Sequence, residues 1–570
     1  MATDRNIHLL TAEGERLSGQ PWNVYPRPQL QRDSFLCLNG EWEFAVTDHT
    51  SQPTKYTETI LVPFPPQSTL SGICRAIPKK SALWYRTVFT LPDGFVQDRV
   101  LLHIGAADQM AAVFVNGKRA GNHIGGYQPF TFDITNLLEA ENTLTICVTD
   151  PQGTTLPYGK QREKRGGMWY TPISGIWQTV WLESVPAQHV EKLRIDTTAD
   201  TVSITAVGVS EGEITVQTPD GALTALLQNG TALLRPENPR LWSPEDPYLY
   251  HFTLTAGADT VHSYFAMRTV NVRTIHGVPR ICLNGKPYFF HGLLDQGYFS
   301  DGIYTPASPK NYENDILSVK SIGFNTLRKH IKVEPEVFYY DCDRLGMLVW
   351  QDMVNNGDYS FVRDTALPTA GLKTLRDTHL HRDPKTRRAF LEHMDQTVEQ
   401  LHNHPSVVYW TIFNEGWGQF DSETVYRRLR SLDSSRIIDT ASGWFKGASS
   451  DVESEHVYFK PYRFAPADKP VVLSEFGGYS YKPEGHVFNL SKTYGYRFFK
   501  EREAFEAALI QLYENEIIPA VSKGLCGCIL TQLSDVEDET NGLFSYDRKV
   551  TKVSAEAMRT IASKIAENMK

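Results

Sequence analysis

The chain has 570 residues and a mass of 64.5 kDa, which is too long for one hydrophobic core and predicts about three or four domains. Its 41% hydrophobic and 22% charged residues are typical of soluble globular proteins, and its net charge of -9 argues against nucleic acid as a partner. No apolar run approaches the ~20 residues of a membrane span and the N-terminus lacks the apolar core of a signal peptide, so we predict no membrane partner and a cytoplasmic location.

The first two regions of the chain have the pattern of β-sandwiches. Residues 1–185 contain short alternating strands bounded by Gly, Pro, Asn or Asp, among them "LWYRTVFTL", "RVLLHIG", "AAVFVNG" and "IWQTVWLESV", which predict a jelly-roll sandwich. Residues 186–276 contain a second set, including "TVSITAVG" and "LYHFTLTAG", over about the length of an immunoglobulin-like domain. No cluster of polar or aromatic residues marks this second sandwich, so we expect it to act as a spacer.

Residues 277–570 change to apolar runs that alternate with helical segments, which predicts a (β/α)8 TIM barrel with its active site at the C-terminal strand ends. The eight predicted strands are "PYFFHGL", "FNTLRKH", "MLVWQDM", "VVYWTIFN", "RIIDTAS", "DVESEHVY", "PVVLSEFG" and "LCGCILTQ". The predicted helices span Lys310–Ile322, Glu334–Leu345, Pro384–His402, Ser422–Leu432 and Lys500–Lys523. A doubly wound sheet is the alternative architecture, but no glycine-rich phosphate loop follows the first strand.

The fourth predicted strand has an unusual end. Val407 to Phe413 have the pattern of a strand covered on both faces, and then come Asn414 and Glu415, followed by glycine and tryptophan. One interpretation is that the polar pair caps the next helix, which is the common role of such a pair. The other is that the pair places an amide and a carboxylate at the mouth of a barrel, and the ends of the other strands decide between the two.

Polar residues end most of the predicted barrel strands. They are His291 on the first, Arg328 and His330 on the second, Asp352 on the third, Asn414 and Glu415 on the fourth, His456 and Tyr458 on the sixth, and Glu475 on the seventh. The seventh strand, "LSEFGG", repeats the ending of "IFNEGWG", in which an apolar strand stops at one glutamate followed by glycine. Glu415 and Glu475 are therefore expected to face one barrel mouth.

Two carboxylates across a barrel mouth suit glycoside hydrolysis, in which one protonates the leaving oxygen and the other attacks the anomeric carbon or activates water. The acid needs a raised pKa and the nucleophile a low one, and Arg328 is available to keep one carboxylate ionised. A loop carboxylate without a role is the alternative for any single glutamate, but the two matching strand ends favour a site.

Trp350, Trp417 and Trp444 are candidates for stacking on sugar rings. Trp410, inside its strand, is expected in the core.

No metal and no organic cofactor is predicted. The seven cysteines are scattered, and neither a Cys-x-x-Cys pair nor a Cys/His cluster with zinc spacing occurs in the sequence. We expect reduced and mostly buried thiols, so the sequence predicts neither disulfides nor a structural metal.

Three stretches of the barrel region, "NHPSVVYWTIFNEGWGQ", "GFNTLRKHIKVEPEVFYYDCDRLGMLVWQDM" and "VVLSEFGG", resemble glycoside hydrolase family 2, the family of β-galactosidases, β-glucuronidases and β-mannosidases. The resemblance runs along nearly the whole chain, because "VFVNGKRAGNHIGGYQPFTFDIT" and "GGMWYTPISGIWQTVWLE" are similar to the sugar-binding sandwich of that family. It implies a retaining, exo-acting hydrolase of a β-linked carbohydrate substrate. It leaves a homo-oligomeric assembly open.

The resemblance also implies roles for the residues at the strand ends. Glu415 would be the acid/base, Glu475 the nucleophile, and Asn414 a ligand of the sugar 2-hydroxyl group. Tyr458 and Arg328 would then be hydrogen-bond partners of Glu475. The other predicted residues of the pocket for the glycone, which is the sugar that is cleaved off, are His291, His330, Asp352, Trp444 and His456.

The glycone is predicted to be a neutral sugar. β-Glucuronidases of the family carry an Asn-x-Lys element shortly before a Gly-(Ile/Leu)-Phe-x-x-Asp-Arg-Lys stretch; here the stretch is "GLFSYDRK", preceded by "DETN", and the element is missing. Glu537, Asp538 and Glu539 lie just before it and are expected to repel a uronate.

The favoured function is therefore a β-galactosidase-like hydrolase. The alternatives within the family are a β-glucuronidase or other β-uronidase, a β-mannosidase and an α-L-arabinosidase. The alternative from a different class is a non-catalytic carbohydrate-binding protein. Loss of either glutamate would favour that last alternative, and both glutamates are present.

Overall fold

The structure, a computed structural model, describes residues 9–48, 50–219, 221–372, 376–447 and 449–569, and begins with a β-sandwich. One antiparallel sheet contains, in spatial order, Glu58–Val62, Gly40–Thr47, Ala82–Phe89, Asn142–Thr149, Met110–Val115 and Lys118–Ile124. The second sheet contains Leu36–Cys37, Val180–Val185, Arg99–Ile104 and Phe130–Asp133. Alternate residues of both sheets, such as Phe44 and Leu102, point inward and share one apolar core. A short pair of strands, Ala107–Asp108 and Gly175–Ile176, adjoins this sandwich.

A second, smaller sandwich follows. One of its sheets contains Lys192–Thr197, Val202–Val207 and Thr231–Leu234, and the other contains Gly221–Leu227, Gly212–Thr218, Tyr250–Ala256 and Asp259–Phe265. Its core is separate from that of the first sandwich and includes Ile204 and Leu254. A three-stranded sheet, Val270–Ile275, Val278–Leu283 and Lys286–Pro287, precedes the barrel. The expected immunoglobulin-like domain is thus confirmed.

The rest of the chain forms a parallel barrel. Its strands are β1 (Phe290–Asp295), β2 (Thr326–Lys329), β3 (Leu348–Asp352), β4 (Val407–Asn414), β5 (Ile437–Ser442), β6 (Glu453–Val457), β7 (Val471–Gly477) and β8 (Leu525–Thr531). Neighbouring strands pair in the order β5-β4-β3-β2-β1-β8-β7-β6. The hydroxyl oxygens of Ser442 on β5 and Ser454 on β6 lie 3.2 Å apart, which brings the two ends of this order together. The predicted (β/α)8 architecture is confirmed.

The main barrel helices are α1 (Lys310–Ser321), α2 (Glu336–Leu345), α3 (Pro384–Leu401), α4 (Ser422–Leu432), α5 (Arg502–Leu512) and α6 (Ala555–Asn568). Helix α3 begins at the predicted residue because Asp383 accepts hydrogen bonds from the first free N–H groups and Pro384 fits the first turn. Helix α5 continues through a π-helical turn, Tyr513–Ile517, into Ile518–Val521. In the described residues, the connections that follow β5 and β6 are loops without a helix.

Large aromatic side chains fill the barrel interior. The rings of Trp350 and Tyr409 are stacked with their centroids 4.0 Å apart, and both side chains are buried. The assignment of Trp350 to a sugar-stacking site is therefore wrong, because its strand directs it into the packed interior. Trp410 is buried as expected, and its Nε1 donates to the carboxylate of Asp433.

Two further expectations concern the chain as a whole. All seven cysteines are free thiols, as predicted. Among the helices that the structure describes, none combines the length and the apolarity that a membrane crossing requires.

Candidate active site

The C-terminal ends of the barrel strands, which we call the mouth, carry Glu415 at the end of β4. Glu415 has a left-handed backbone conformation with φ of +53°, and its N–H donates to the carbonyl oxygen of Ser442 at 3.0 Å. Such a conformation costs about 1–3 kcal/mol and persists only where the surrounding structure enforces it. Helix α4 begins only at Ser422, so the interpretation of Asn414 and Glu415 as a helix cap is wrong.

Glu415 and Glu475 face each other across the mouth, with the imidazole of His456 between them. One oxygen of each carboxylate and one nitrogen of His456 all lie within 4.8 Å of one another. The His456 Nδ1 atom is 2.8 Å from Glu415 Oε1 and 3.6 Å from Glu475 Oε2. Glu415 and Glu475, which the matching strand ends predict to face one barrel mouth, thus lie in one site.

Two donors hold the carboxylate of Glu475. Arg328 Nη1 donates to Oε1 at 3.1 Å, and the Tyr458 hydroxyl donates to Oε2 at 2.6 Å. Burial raises the pKa of Tyr458 well above its usual value and the charge of Glu475 raises it further, so the hydroxyl keeps its proton. Burial lowers the pKa of Arg328, but the charges of Asp352 and Glu475 outweigh this effect and raise it overall. A permanent cation therefore lies beside the carboxylate of Glu475.

Arg328 also orients two further predicted residues. Its Nη2 donates to Asn414 Oδ1 at 2.9 Å, which fixes the side-chain amide of Asn414, and it forms an ion pair with Asp352. Burial raises the pKa of Asp352, but the charge of Arg328 holds it below its usual range. Burial and the charge of Lys160 lower the pKa of His330 to about 3, so His330 is neutral. Its Nδ1–H therefore donates to the ionised Asp352 at 2.6 Å.

His456 and Trp444 both lie beside Glu415. The His456 Nε2 atom is 2.9 Å from the hydroxyl oxygen of Ser442, a serine that ends β5 and that the sequence did not single out. Trp444 Nε1 donates to the carbonyl oxygen of Glu415 at 3.1 Å, and the Trp444 ring lies edge-on to His456. Trp444 thus anchors the strained backbone of Glu415.

His291 lies outside this cluster, and the prediction that it ends the first barrel strand is wrong. It is the second residue of β1, at the end of the strand opposite to the mouth. Its ring nitrogens contact the Gly323 carbonyl oxygen at 3.0 Å and the Tyr513 hydroxyl at 3.1 Å. The apolar run "PYFFHGL" begins before β1, and the strand continues to Asp295, which shifts His291 to the other end.

Several residues at the mouth come from loops that sequence patterns did not identify. The Tyr496 ring, from the long connection after β7, is stacked on Tyr458 with centroids 3.9 Å apart. Trp169, from the first sandwich, is stacked on Trp417 with centroids 5.2 Å apart. The motif "GGMWY" contains Trp169, so its aromatic cluster was the available signal, but nothing in the motif indicates contact with a barrel.

Three side chains at the mouth lie close enough together to hold a metal ion. Glu415, His456 and Glu475 form the one cluster of three such side chains in the described residues with donor atoms close enough to share a cation. Arg328 already supplies a positive charge to Glu475 from 3.1 Å, which reduces the electrostatic need for a metal. The expectation of a metal-free site stays a prediction.

Comparisons with known proteins agree with this architecture. The family model described as "Glycosyl hydrolases family 2, TIM barrel domain" matches residues 275–565, and the model described as its sugar binding domain matches residues 35–186. A third model, "Glycosyl hydrolases family 2", matches residues 184–268. The three matches therefore follow the order of the three observed domains.

Similar proteins are named for different activities. A β-glucuronidase of Chlorocebus aethiops is 28% identical over 488 residues, which cover 75% of this chain and 71% of that protein. A β-galactosidase of Aeromonas hydrophila is 27% identical over 424 residues, 68% of this chain but only 38% of the relative. The solved structure of a β-D-glucuronidase from Dictyoglomus thermophilum has a TM-score of 0.72 at 18% identity and covers 95% of this chain and 98% of that one. At that identity, the likeness establishes the fold alone.

The family models span all three domains, and the barrel model alone matches just over half of the chain, residues 275–565 of 570. The resemblance found in the sequence is thus confirmed: the chain belongs to glycosyl hydrolase family 2 and is a glycoside hydrolase.

Proposed function

We propose that the chain is a retaining, exo-acting β-glycoside hydrolase in which Glu415 is the acid/base and Glu475 the nucleophile. The observation that carries this proposal is the approach of one oxygen of Glu415 to one oxygen of Glu475 within 4.8 Å. Inverting enzymes keep their carboxyl groups about 6.5–9.5 Å apart to admit a water molecule, whereas retaining enzymes need about 5–5.5 Å. The observed separation supports direct attack by a carboxylate.

The surroundings of the two glutamates support the division of roles. Arg328 and the Tyr458 hydroxyl both stabilise the anionic form of Glu475, which the nucleophile requires. In the first step Glu475 attacks the anomeric carbon while Glu415 protonates the leaving oxygen. In the second step Glu415 removes a proton from the water that hydrolyses the glycosyl ester. Formation of the ester removes the negative charge of Glu475, so the Glu415 carboxylate no longer faces a second carboxylate at the step that needs a base.

Retention is tested by the configuration of the product. We expect an aryl β-glycoside to release its sugar first as the β-anomer, because two successive displacements at one carbon restore the original configuration. Proton NMR, recorded before mutarotation, distinguishes the anomers by the coupling of the anomeric proton. An α-anomer as first product is incompatible with a covalent intermediate on Glu475 and would refute the proposal.

Tyr458→Phe is expected to lower kcat/KM by about 10- to 100-fold, because a hydrogen bond to a charged group contributes about 1.5–3 kcal/mol. The change removes the donor that lies 2.6 Å from Glu475 and keeps the aromatic ring that stacks on Tyr496. Tyr426→Phe is the matched control, since Tyr426 donates to Asp451 through a hydroxyl that no residue of the site contacts. Equal losses in the two variants would contradict a specific role of Tyr458.

The identity of the glycone is a separate part of the proposal. A neutral sugar, as in a β-galactosidase, stays the prediction from the sequence, and the acidic run Glu537, Asp538 and Glu539 was one of its two supports beside the missing Asn-x-Lys element. These three side chains are buried and hydrogen-bonded in the structure. Their partners are Arg165, Asn489 and Tyr170, respectively. The argument that they repel a uronate is therefore weakened, and a lysine at the mouth favours a β-uronide as the second candidate.

A further inference from the structure

A buried lysine from the first sandwich lies at the barrel mouth. Lys160 belongs to the 150–174 loop, which joins strand Asn142–Thr149 to strand Gly175–Ile176, and is only 7% exposed. Its Nζ atom is 5.9 Å from the ring centroid of Trp417, two residues after Glu415. The ammonium group thus lies beside the segment that carries the proposed acid/base.

Residues that follow two other barrel strands also surround Lys160. Gln296 follows β1, and its amide nitrogen donates to the carbonyl oxygen of His330 at 3.2 Å in the orientation that places its oxygen 3.1 Å from Lys160 Nζ. His330 follows β2, and the charge of Lys160 is one of the causes, after burial, of its lowered pKa. Contacts with Gln296 after β1 and Trp417 after β4, together with the electrostatic effect on His330 after β2, place the ammonium group at the mouth.

The backbone of the loop is built to hold Lys160 there. Tyr170 N–H donates to the Lys160 carbonyl oxygen at 2.9 Å, and Arg162 N–H donates to the Tyr170 carbonyl oxygen at 3.1 Å. Gly159 has φ of +65°, and a Cβ atom at that position would lie 2.9 Å from the carbonyl oxygen of Ile331. A glycine is needed for this close approach, which brings the loop against the residue that follows His330.

The charge of Lys160 has no ionic partner in the described part of the chain. The other cations near the strand ends are paired: Arg328 with Asp352 and Glu475, Lys329 with Asp295 and Glu334, and Lys332 with Glu334. Beside Lys160, the buried Nε1 of Trp417 also has no described acceptor. Unpaired buried charges and donors are costly and cluster at functional sites, so an anionic ligand is the expected partner of both groups.

We propose that Lys160 is a specificity-determining residue that binds the carboxylate of a uronic acid glycone, with Trp417 Nε1 as a second donor. This inference rests on the proposed function, because it requires the glycone to lie at the Glu415–Glu475 pair. One ammonium group balances the single charge of a carboxylate, whereas a phosphate carries a charge of about -1.5 to -2. The cation for the uronate then comes from the first sandwich and not from the barrel.

The first test uses the unmodified enzyme. p-Nitrophenyl β-D-glucuronide is compared with the β-D-glucoside, and the β-D-galacturonide with the β-D-galactoside, so that each pair differs only at C6. We expect kcat/KM to favour the uronide by at least about 100-fold in one pair, as sites built for one polar group discriminate strongly against analogues that lack it. A preference for the neutral sugar in both pairs would overturn the inference while leaving the proposed hydrolase function intact.

The second test uses Lys160→Met, which keeps the aliphatic stem and removes the charge. We expect kcat/KM for the uronide to fall by at least about 100-fold and that for the neutral sugar to change by less than about 5-fold. Lys164→Gln, at an exposed position of the same loop, is the matched control and is expected to change neither value. Equal losses on both substrates would assign Lys160 a structural role and overturn the inference.

Binding measurements separate the inference from the proposed function. Titration calorimetry compares free D-glucuronate with D-glucose, and free D-galacturonate with D-galactose, on the unmodified protein and on Lys160→Met. Uronate binding that depends on Lys160, in a protein that cleaves none of the four aryl glycosides, would support a carboxylate site at Lys160 and count against exo-hydrolysis of these four glycones. If Lys160→Met fails to fold, the C6 preference of the unmodified enzyme decides alone.

Discussion

Glu475→Ala is expected to lower kcat for every β-glycoside that the enzyme cleaves, by about 10^4-fold or more, which is the scale of effect when a nucleophile is removed. Without this carboxylate no covalent intermediate forms, and Glu415 alone can only protonate the leaving group. Steady-state release of an aryl leaving group measures the effect. Glu503→Ala, at an exposed position of helix α5, is the control and is expected to retain full activity.

The same variant gives a stereochemical result that a structural defect would not produce. Removal of the carboxylate leaves space on the face from which Glu475 attacks, and azide supplied in solution can enter it. A single displacement by azide then inverts the anomeric carbon and gives the α-glycosyl azide. Azide rescue that yields the β-glycosyl azide, or a kcat close to that of the unmodified enzyme, would contradict the assignment of Glu475 as nucleophile.

Barrel strands that are buried on both faces were predictable from their apolar runs. The run Val407–Asn414 coincides with β4, and Ser422–Leu432 coincides with helix α4, because turn residues bound both segments. The error at His291 has a physical origin. The aromatic residues Tyr288 and Phe289 precede β1 and pack against the protein core, so the apolar run starts before the hydrogen-bonded strand does.

The cluster around Arg328 was predictable in part because parallel strands bring their C-terminal ends together, whatever their separation in the sequence. Loops and other domains follow no equivalent rule that would place their residues at the mouth. Tyr496 and Lys160 reach the mouth through connections without periodic structure, and only the folded chain brings them there.

The sequence shows which residues are charged, but it does not show which groups pair with them in the fold. Glu537 and Glu539 suggested an acidic approach that repels anions. In the fold, Glu537 accepts from Arg165 and from the Thr171 N–H, and Glu539 accepts from Tyr170. Conversely, "YGKQREKRGG" contains several basic residues with no indication that one of them, Lys160, is buried at the mouth. Long-range ion pairing, which decides the local potential, is a property of the tertiary structure.

Glu415→Ala is expected to separate the two chemical steps through the leaving group. A basic alkyl or sugar leaving group needs the acid, so its cleavage should fall by about 10^3-fold, within the ~10^2- to 10^4-fold range of general acid catalysis. An activated leaving group such as 2,4-dinitrophenolate departs without a proton, so the first step should change by less than about 10-fold. A pre-steady-state burst of dinitrophenol followed by slow turnover is then the expected time course, because hydrolysis of the glycosyl ester has lost its base.

Azide can replace water in the second step, because an anion needs no base to attack the glycosyl ester on Glu475. We expect azide to accelerate steady-state turnover of the activated substrate by Glu415→Ala and to give the β-glycosyl azide, the product of two displacements. The unmodified enzyme should gain little from azide, because Glu415 already activates water there. The β-azide from Glu415→Ala and the α-azide from Glu475→Ala must occur together if the roles are right. The opposite pair of anomers, or undiminished cleavage of a poor leaving group by Glu415→Ala, would reverse the assignment of the two carboxylates.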